Sequence, residues 1–526
     1  MKKYLLKRIG FSIFSLIVVV IAVMLLVYSL IDRKVIFQMD DVWNKRSNNS
    51  RTYYEYTMYQ KYGYLTFVDY TTYLSGKYSE KYGPKYTEQA EFATAKVAIQ
   101  YEKSYLENPD VQEFISKYDG KDGYKIVYLT PMKYSNGKTK PGGDGYLLAT
   151  REKSVFSRLW DYAKGLITVE TKNDVQDERL TERYTRWEKD PYSGLFAHVG
   201  SGTTHKYLLY FNGRFPFIHQ NRIHLHLGVS FTKYRGQEIT DVITQPTGEM
   251  KYVRTQYPAY IGTDRYDETA IDFHEVTYNY GEPTEAQKEL FTDNYTNISY
   301  QRKGLSMIEN SFVIGVIATI LAYMIGLPLG VLNARKKDKL PDKIGMWYII
   351  FIMAVPSLAY IFMFAAIGTR LFGLPYAFAN AKVPILAYIL PIISMALPSI
   401  GGLMKWMRRY MIDQMNSDYV KFARAEGLSE SEIFSKHISR NAVIPIIHGI
   451  PGSILGCLVG AIITERVYAV PGVGNLLTAA INGHDNAIIV ACTVFYTTLS
   501  IISLILGDVL MAKWDPRISF ESKAGR

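Results

Sequence analysis

Six runs of about 20 apolar residues constrain this chain more than any other feature, because each can cross the hydrocarbon core of a bilayer. They fall at Ile9 to Ile31, Met307 to Asn333, Ile344 to Gly368, Val383 to Met404, Ala442 to Thr464 and Ala487 to Ala512. Between the first and second run lie residues 32–305, which are polar, charged and crowded with tyrosine. The expectation is a mainly α membrane protein of about six transmembrane helices, with an α+β extracellular domain inserted between helices 1 and 2.

The first run comes after MKKYLLKR, a pairing also seen in secretory signals. Its apolar stretch exceeds the usual signal core of about 7 to 15 residues, and no small-x-small cleavage site comes after it, so it reads as an uncleaved span. Lysine and arginine in short loops stay on the cytoplasmic side. Lys2, Lys3, Lys7 and Arg8 precede the first run; Arg335, Lys336, Lys337, Lys339 and Lys343 follow the second. Lys405, Arg408, Arg409, Lys421, Arg424, Lys436 and Arg440 follow the fourth, and Lys513 and Arg517 follow the sixth. The alternate short loops hold only Arg370, Lys382 and Arg466. Both termini are therefore expected in the cytoplasm of a multi-pass plasma-membrane protein, with residues 32–305 outside. Much of the net charge of +11 is this topology signal and implies no nucleic-acid partner. The expected division is 1–31 (tail and first span), 32–305 (insert), 306–512 (remaining spans, with the polar segment 405–441) and 513–526 (cytosolic tail).

Both cysteines, Cys457 and Cys492, fall within spans, so no disulfide holds the insert, which is large enough to bury a core without one. Asn136-Gly137, Gly142-Gly143 and Asn212-Gly213 mark turns in it. Its tyrosines suit a docking surface, since the ring gives contact area at low entropy cost, and suit equally a core and its margins. His224 and His226, with His219 nearby, have metal-ligand spacing. Ile223, Leu225 and Leu227 alternate with them, which is the pattern of a half-buried strand whose histidines face outward, so no metal site is assigned. Asn294 and Asn297 fit the glycosylation pattern, as chance matches do in a bacterial chain.

The most informative polar stretch runs from Asn416 to Pro445, NSDYVKFARAEGLSESEIFSKHISRNAVIP. Asp418 can cap a short helix, and Gly427 can take the left-handed conformation that stops it. Ser429 and Glu432 have capping-box spacing, so a second helix starts directly after the corner. Ala423 and Gly427 lie four residues apart on one face, open to close approach by another protein. An ordinary loop helix remains the alternative. No GxxxxGK[ST] loop occurs, so this chain does not hold ATP in a P-loop, and GxSxG, HExxH and CxxC are also missing. No catalytic residue is assigned. Pro328, Pro356, Pro391, Pro398 and Pro451 read as ordinary kinks, Glu309, Glu465 and Asp508 as solvated span ends, and His448 as a cross-helix hydrogen-bonding group.

The segment DYVKFARAEGLSESEIFSKHISRNAVIP resembles the cytoplasmic "EAA" loop of ABC importer permeases, in the form typical of oligopeptide and dipeptide importers. In the same order, NSFVIGVIATILAYMIGLPLGVL, AVPSL, ALPSI, TERVYAVPGVGNLL and DPR resemble that family's other motifs. The likeness covers the first span and nearly everything beyond about Met307. Lys421 stands where many permeases have the glutamate that names the loop, and Gly427 and Pro445 are further apart than in sugar-type importers. The large insert looks like that of some Gram-positive peptide permeases.

The resemblance implies a B-type permease of type I ABC importer fold. Its implied partners are a homologous second permease, two ATPase subunits carrying ATP and Mg, an extracellular substrate-binding lipoprotein, membrane lipid and a peptide substrate. It assigns ATPase coupling to Asp418, Ala423, Arg424, Glu426, Gly427, Leu428 and Ser429. Pro471, Gly472 and Gly474 are assigned to an external loop, with the glycines allowing tight turning. It assigns no cofactor to this chain. The alternatives are a membrane-anchored receptor or adhesin, an exporter, and an importer of another small molecule.

Overall fold

A computed structural model describes residues 2–30, 33–37, 40–191, 193–213, 217–230, 234–244, 253–256, 264–267, 273–278, 297–298 and 305–514. Asn294 and the DPR at 515–517 lie outside these. The N-terminal helix α1 (Lys2–Leu30) leads into the insert, whose first lobe is a three-stranded antiparallel sheet backed by helices. There α2 (Asn48–Lys61) precedes β1 (Leu65–Asp69), α3 (Tyr70–Tyr82), α4 (Ala90–Ala98), α5 (Pro109–Tyr118), β2 (Lys125–Leu129) and β3 (Tyr146–Glu152). The sheet order is β1-β3-β2, so β3 is central, and it carries Leu147 and Ala149 into a core with Tyr70, Leu74, Phe92 and Phe114. Asp69 caps α3 and Asn108 caps α5 through their side chains. Here the tyrosines divide: Tyr70 and Tyr78 fill the core, whereas Tyr101 and Tyr134 are exposed.

Helix α6 (Val155–Gly165) leaves the first lobe with Phe156 and Trp160 exposed beside Leu16, Ile17 and Val20 of α1. The second lobe begins with β4 (Ile167–Val169) and contains β5 (Tyr184–Lys189), β6 (Phe196–Ser201), β7 (Tyr207–Phe211), β8 (Ile218–Gln220) and β9 (Ile223–Leu225). Strands β5 to β8 form a four-stranded antiparallel sheet, and β9 pairs with β4 with Thr168 opposite His224. The strand at 223–225 faces the opposite way from the sequence expectation. Ile223 is 54% exposed, and His224 turns inward to the buried Glu170. Alternation alone fixes two faces without saying which is buried, and an ion-pairing carboxylate reversed the choice here.

Helix α7 (Ile239–Thr244) then docks the insert on the membrane half: Ile239, Val242 and Ile243 share a buried cluster with Met24 of α1 and with Leu476 and Val490. Ser230 Oγ donates to Asp485 Oδ2 at 2.8 Å, a buried contact between the two parts of the chain.

The membrane half consists of α8 (Met307–Arg335), α9 (Leu340–Ala354), α10 (Ser357–Phe372), α11 (Leu386–Met415), α12 (Asp418–Ala425), α13 (Ile444–Val467), α14 (Val473–Asn482) and α15 (Asn486–Trp514). Among the described residues five helices are long and apolar enough to cross a membrane, and six spans result if α9 and α10 count as one. Those two meet at 111°, so the run expected as one span with an ordinary kink at Pro356 is broken there. Pro356 has no N–H to continue the helix, and Val355 before it takes the extended conformation that proline imposes on its predecessor. Pro328, Pro391, Pro398 and Pro451 sit inside helices that continue through them. Glu309 closes a capping box with Ser306 at the start of α8.

A close crossing joins α8 to α11. A Cβ on Gly326 would stand 3.0 Å from Leu403 Cβ and 3.1 Å from the Ile400 carbonyl; one on Gly330 would stand 2.8 Å from Met407 Cβ and 3.0 Å from the Met404 carbonyl. Two glycines one helical turn apart thus let the backbones touch, the usual means of packing helices in lipid, where apolar burial supplies little driving force. At the polar end of this crossing, Arg408 on α11 makes two bonds to the buried Asp342 of α9, at 2.6 and 2.7 Å.

Gly330→Ala should lower the thermal midpoint of the detergent-solubilised protein, by an overpacking cost of about 1–3 kcal/mol. Gly449→Ala, where a Cβ meets nothing within 4 Å, should leave it unchanged or raise it. Equal midpoints for both variants would contradict the close crossing.

Candidate coupling segment and transport path

The segment after α11 forms two helices at a corner. Helix α12 ends in a Schellman motif: Gly427 N–H donates to the Arg424 carbonyl at 3.0 Å and Leu428 N–H to the Ala423 carbonyl at 3.3 Å. Gly427 has φ +81°, the left-handed conformation expected of it. Ser429 caps the second helix, its Oγ accepting from Glu432 N–H at 3.3 Å, and residues 430–442 continue as a helix with a π-type turn at Ile433–Ile438. The reciprocal half of the expected capping box is replaced by an ion pair, because Glu432 takes Lys436 Nζ at 2.7 Å.

Asp418 is not the cap. Ser417 holds that position and turns its Oγ back to the Gln414 carbonyl, while Asp418 pairs with Lys421 Nζ at 2.8 Å. Lys421, which departs from the family's glutamate, thus has a local partner, and the pairing holds the Asp418 carboxyl below its ordinary range. Arg424 bridges the corner to Glu430 at 2.7 and 3.2 Å.

Ala423 does not share an open face with Gly427. It is 4% exposed and packs with Val420, Ile433 and Ile438 against Ala334 of α8 and Met407 and Met411 of α11. The three-residue step from Val420 to Ala423 marks the inward side of α12, which turns Phe422 outward at 66% exposure. An aromatic ring standing in solvent beside Lys421, Arg424, Glu426 and Gly427 is the residue that sequence reasoning passed over; the same spacing was the signal that could have found it. Leu428 is half-buried beneath the corner.

At the opposite end of the bundle, Pro471 and Gly472 lead directly into α14, so the expected loop is largely helical. Gly472 has φ −127°, which any residue adopts, and Gly474 sits in the first turn of α14. Their need is space rather than turning. A Cβ on Gly472 would collide with the Glu465 carboxylate, and one on Gly474 would stand 2.6 Å from Ile462 Cα. Glu465 is wholly buried, contrary to the expected solvated span end. Its Oε1 accepts from Ser311 Oγ at 2.7 Å and its Oε2 from Asn475 N–H at 3.0 Å, in the first turn of α14 where the helix dipole favours an anion. Ser311 Oγ in turn accepts from Val473 N–H, and Asn310 Nδ2 donates to the Pro471 carbonyl at 3.0 Å. His448 and Arg8 both approach Asp508, at 3.6 and 3.4 Å.

Between these ends lies a cleft of about 520 Å³ among α8, α10, α11 and α13. Thr319, Tyr323, Ser394, Ser399, Trp406 and Ser453 contribute to its wall, and among the described residues no charged side chain does. Tyr323 OH and Ser453 Oγ lie 3.1 Å apart across it.

Residues 326–520 match the family model of the binding-protein-dependent transport system inner membrane component. Across its whole length and that of its relative, the chain is 34% identical to the oligopeptide transport system permease protein AmiC of Streptococcus pneumoniae. The chain belongs to the oligopeptide permeases of ABC importers. It is also 31% identical to the dipeptide permease DppB of Lactococcus lactis over 44% of this chain and 77% of that one. For DppB of Bacillus subtilis the values are 30%, 40% and 68%. The permease is thus a membrane transport subunit rather than an enzyme, and the receptor or adhesin alternative falls away.

Glu465→Leu would strip an acceptor from both Ser311 and the first turn of α14, at about 1–3 kcal/mol for the groups left unsatisfied. The expected result is a lower melting midpoint in detergent, with Glu465→Gln, which keeps one acceptor oxygen, intermediate. An unchanged midpoint for Glu465→Leu would contradict the network.

Proposed function

We propose that this permease passes oligopeptides across the plasma membrane by alternating access, driven by separate ATPase subunits that dock on residues 418–429. The observation that carries this reading is the two-sided character of α12. Its inner face is packed into the feet of α8 and α11, and its outer face presents Phe422 among charges. A partner that grips the outer face therefore moves the two helices whose upper parts wall the cleft. In this reading Phe422 is the apolar anchor, Arg424 and Glu426 are rim contacts, and Ser429 and Gly427 hold the corner.

The complete carrier then contains a homologous second permease, two ATPase subunits with ATP and Mg, and an extracellular substrate-binding lipoprotein. A second permease has a surface available, since Trp347, Ile350, Leu371 and Phe372 project from α9 and α10. The uncharged cleft suits a substrate recognised through its backbone, with selectivity left to the binding protein. Residues 32–305 lie outside and both termini inside, in keeping with the basic side chains near Asp342 and along 405–441. Exposed Phe156 and Trp160 beside α1 suit a helix lying in the outer membrane interface.

Reconstituted with its partners, the permease should support ATP hydrolysis stimulated by peptide-loaded binding protein. Phe422→Ala should weaken ATPase docking by about 2 kcal/mol, roughly 30-fold in affinity. Gly427→Val, which forces a branched residue into the left-handed region at about 1–2 kcal/mol, should reduce stimulation while leaving the membrane half folded. Full stimulation in both variants would overturn the assignment.

A further inference from the structure

The second lobe of the insert gathers Glu170, His205 and His224 from three separate segments of chain. Glu170 continues the β4–β9 ribbon, its N–H donating to the Arg222 carbonyl at 2.7 Å. His224 lies on β9, and His205 lies in the turn between β6 and β7. His205 Nδ1 and His224 Nε2 converge on the same carboxylate oxygen, Glu170 Oε1, at 2.6 and 2.7 Å. The two rings stack with centroids 5.3 Å apart, and the three potential ligand atoms all lie within 4.8 Å of one another. Glu170 is 5% exposed, whereas both histidine side chains keep an edge open to solvent.

We propose that Glu170, His205 and His224 bind one divalent transition-metal ion of the zinc class, with a fourth position open to water. The donor set is two imidazole nitrogens and one carboxylate oxygen, the chemistry such ions select. The supporting bonds are already made. Glu170 Oε2 accepts from the His205 backbone N–H at 2.9 Å, which orients the carboxylate, and the Glu170 N–H to the Arg222 carbonyl anchors its backbone. Binding displaces both protons that face Oε1, the one on His224 Nε2 to solvent and the one on His205 Nδ1 to solvent or to its own Nε2, and a small separation of the three donors accommodates ligand bonds of about 2.0–2.2 Å. His226, which shares the sequence spacing, is outside the set because its Nε2 pairs with Thr168 Oγ1 at 2.7 Å.

The test uses the full-length permease in detergent, purified through a tag without histidine, stripped with chelator and titrated with zinc. Wild-type chain should retain about one equivalent by mass spectrometry of the metal. Glu170→Gln and His224→Gln should each weaken binding at least about tenfold, and His226→Gln should not. Cobalt in place of zinc should give the visible absorption of a low-coordinate site, which His205→Gln weakens. Less than about half an equivalent on the wild-type chain in zinc excess would overturn the proposal whatever the variants do. So would a loss of binding in His226→Gln equal to that in His224→Gln.

Discussion

The close crossing of α8 and α11 at Gly326 and Gly330 is the contact on which the rest of the membrane half depends. Only glycine lets Leu403 and Met407 come down onto the α8 backbone, and that contact fixes the relative rotation of both helices. Above it, Thr319 and Tyr323 of α8 line the cleft together with Ser394 and Pro398 of α11. Below it, Ala334, Met407 and Met411 form the apolar floor on which Val420 and Ala423 rest. One backbone contact therefore joins the path to the segment assigned to coupling.

Glu465 organises the other end by a different principle. A carboxyl buried without partners would be expensive, and here the Asn475 amide of α14 and the Ser311 hydroxyl are its partners. The Glu465 side chain, on α13, ties α14 to α8 through these bonds, and the glycines beside it leave room for it. The insert is then seated on this end through α7 and the Ser230–Asp485 bond, so any movement of α14 or α15 is felt in the insert.

What was legible in the sequence was what is local. Spans are visible because twenty apolar residues announce themselves, and Gly427 because a helix stop needs only one residue and its neighbours. The break at Val355–Pro356 was within reach of the same rule, since proline constrains its predecessor, but apolarity on both sides hid it. Spacing from Gly427 points Ala423 outward and spacing from Val420 points it inward; packing against α8 and α11 follows the second. Glu465 and the Glu170 cluster were out of reach. Their partners stand far away in sequence, at Ser311 and at His205 and His224, and only the fold brings them together.

In the proposed carrier the ATPase grips the outer face of α12. The most direct measurement is site-specific cross-linking in the assembled complex, with Cys457 and Cys492 replaced and single cysteines introduced. Phe422→Cys should cross-link to an ATPase subunit and Ala423→Cys, buried under the helix, should not. Cross-linking from Lys339→Cys between α8 and α9, with none from Phe422→Cys, would contradict the account.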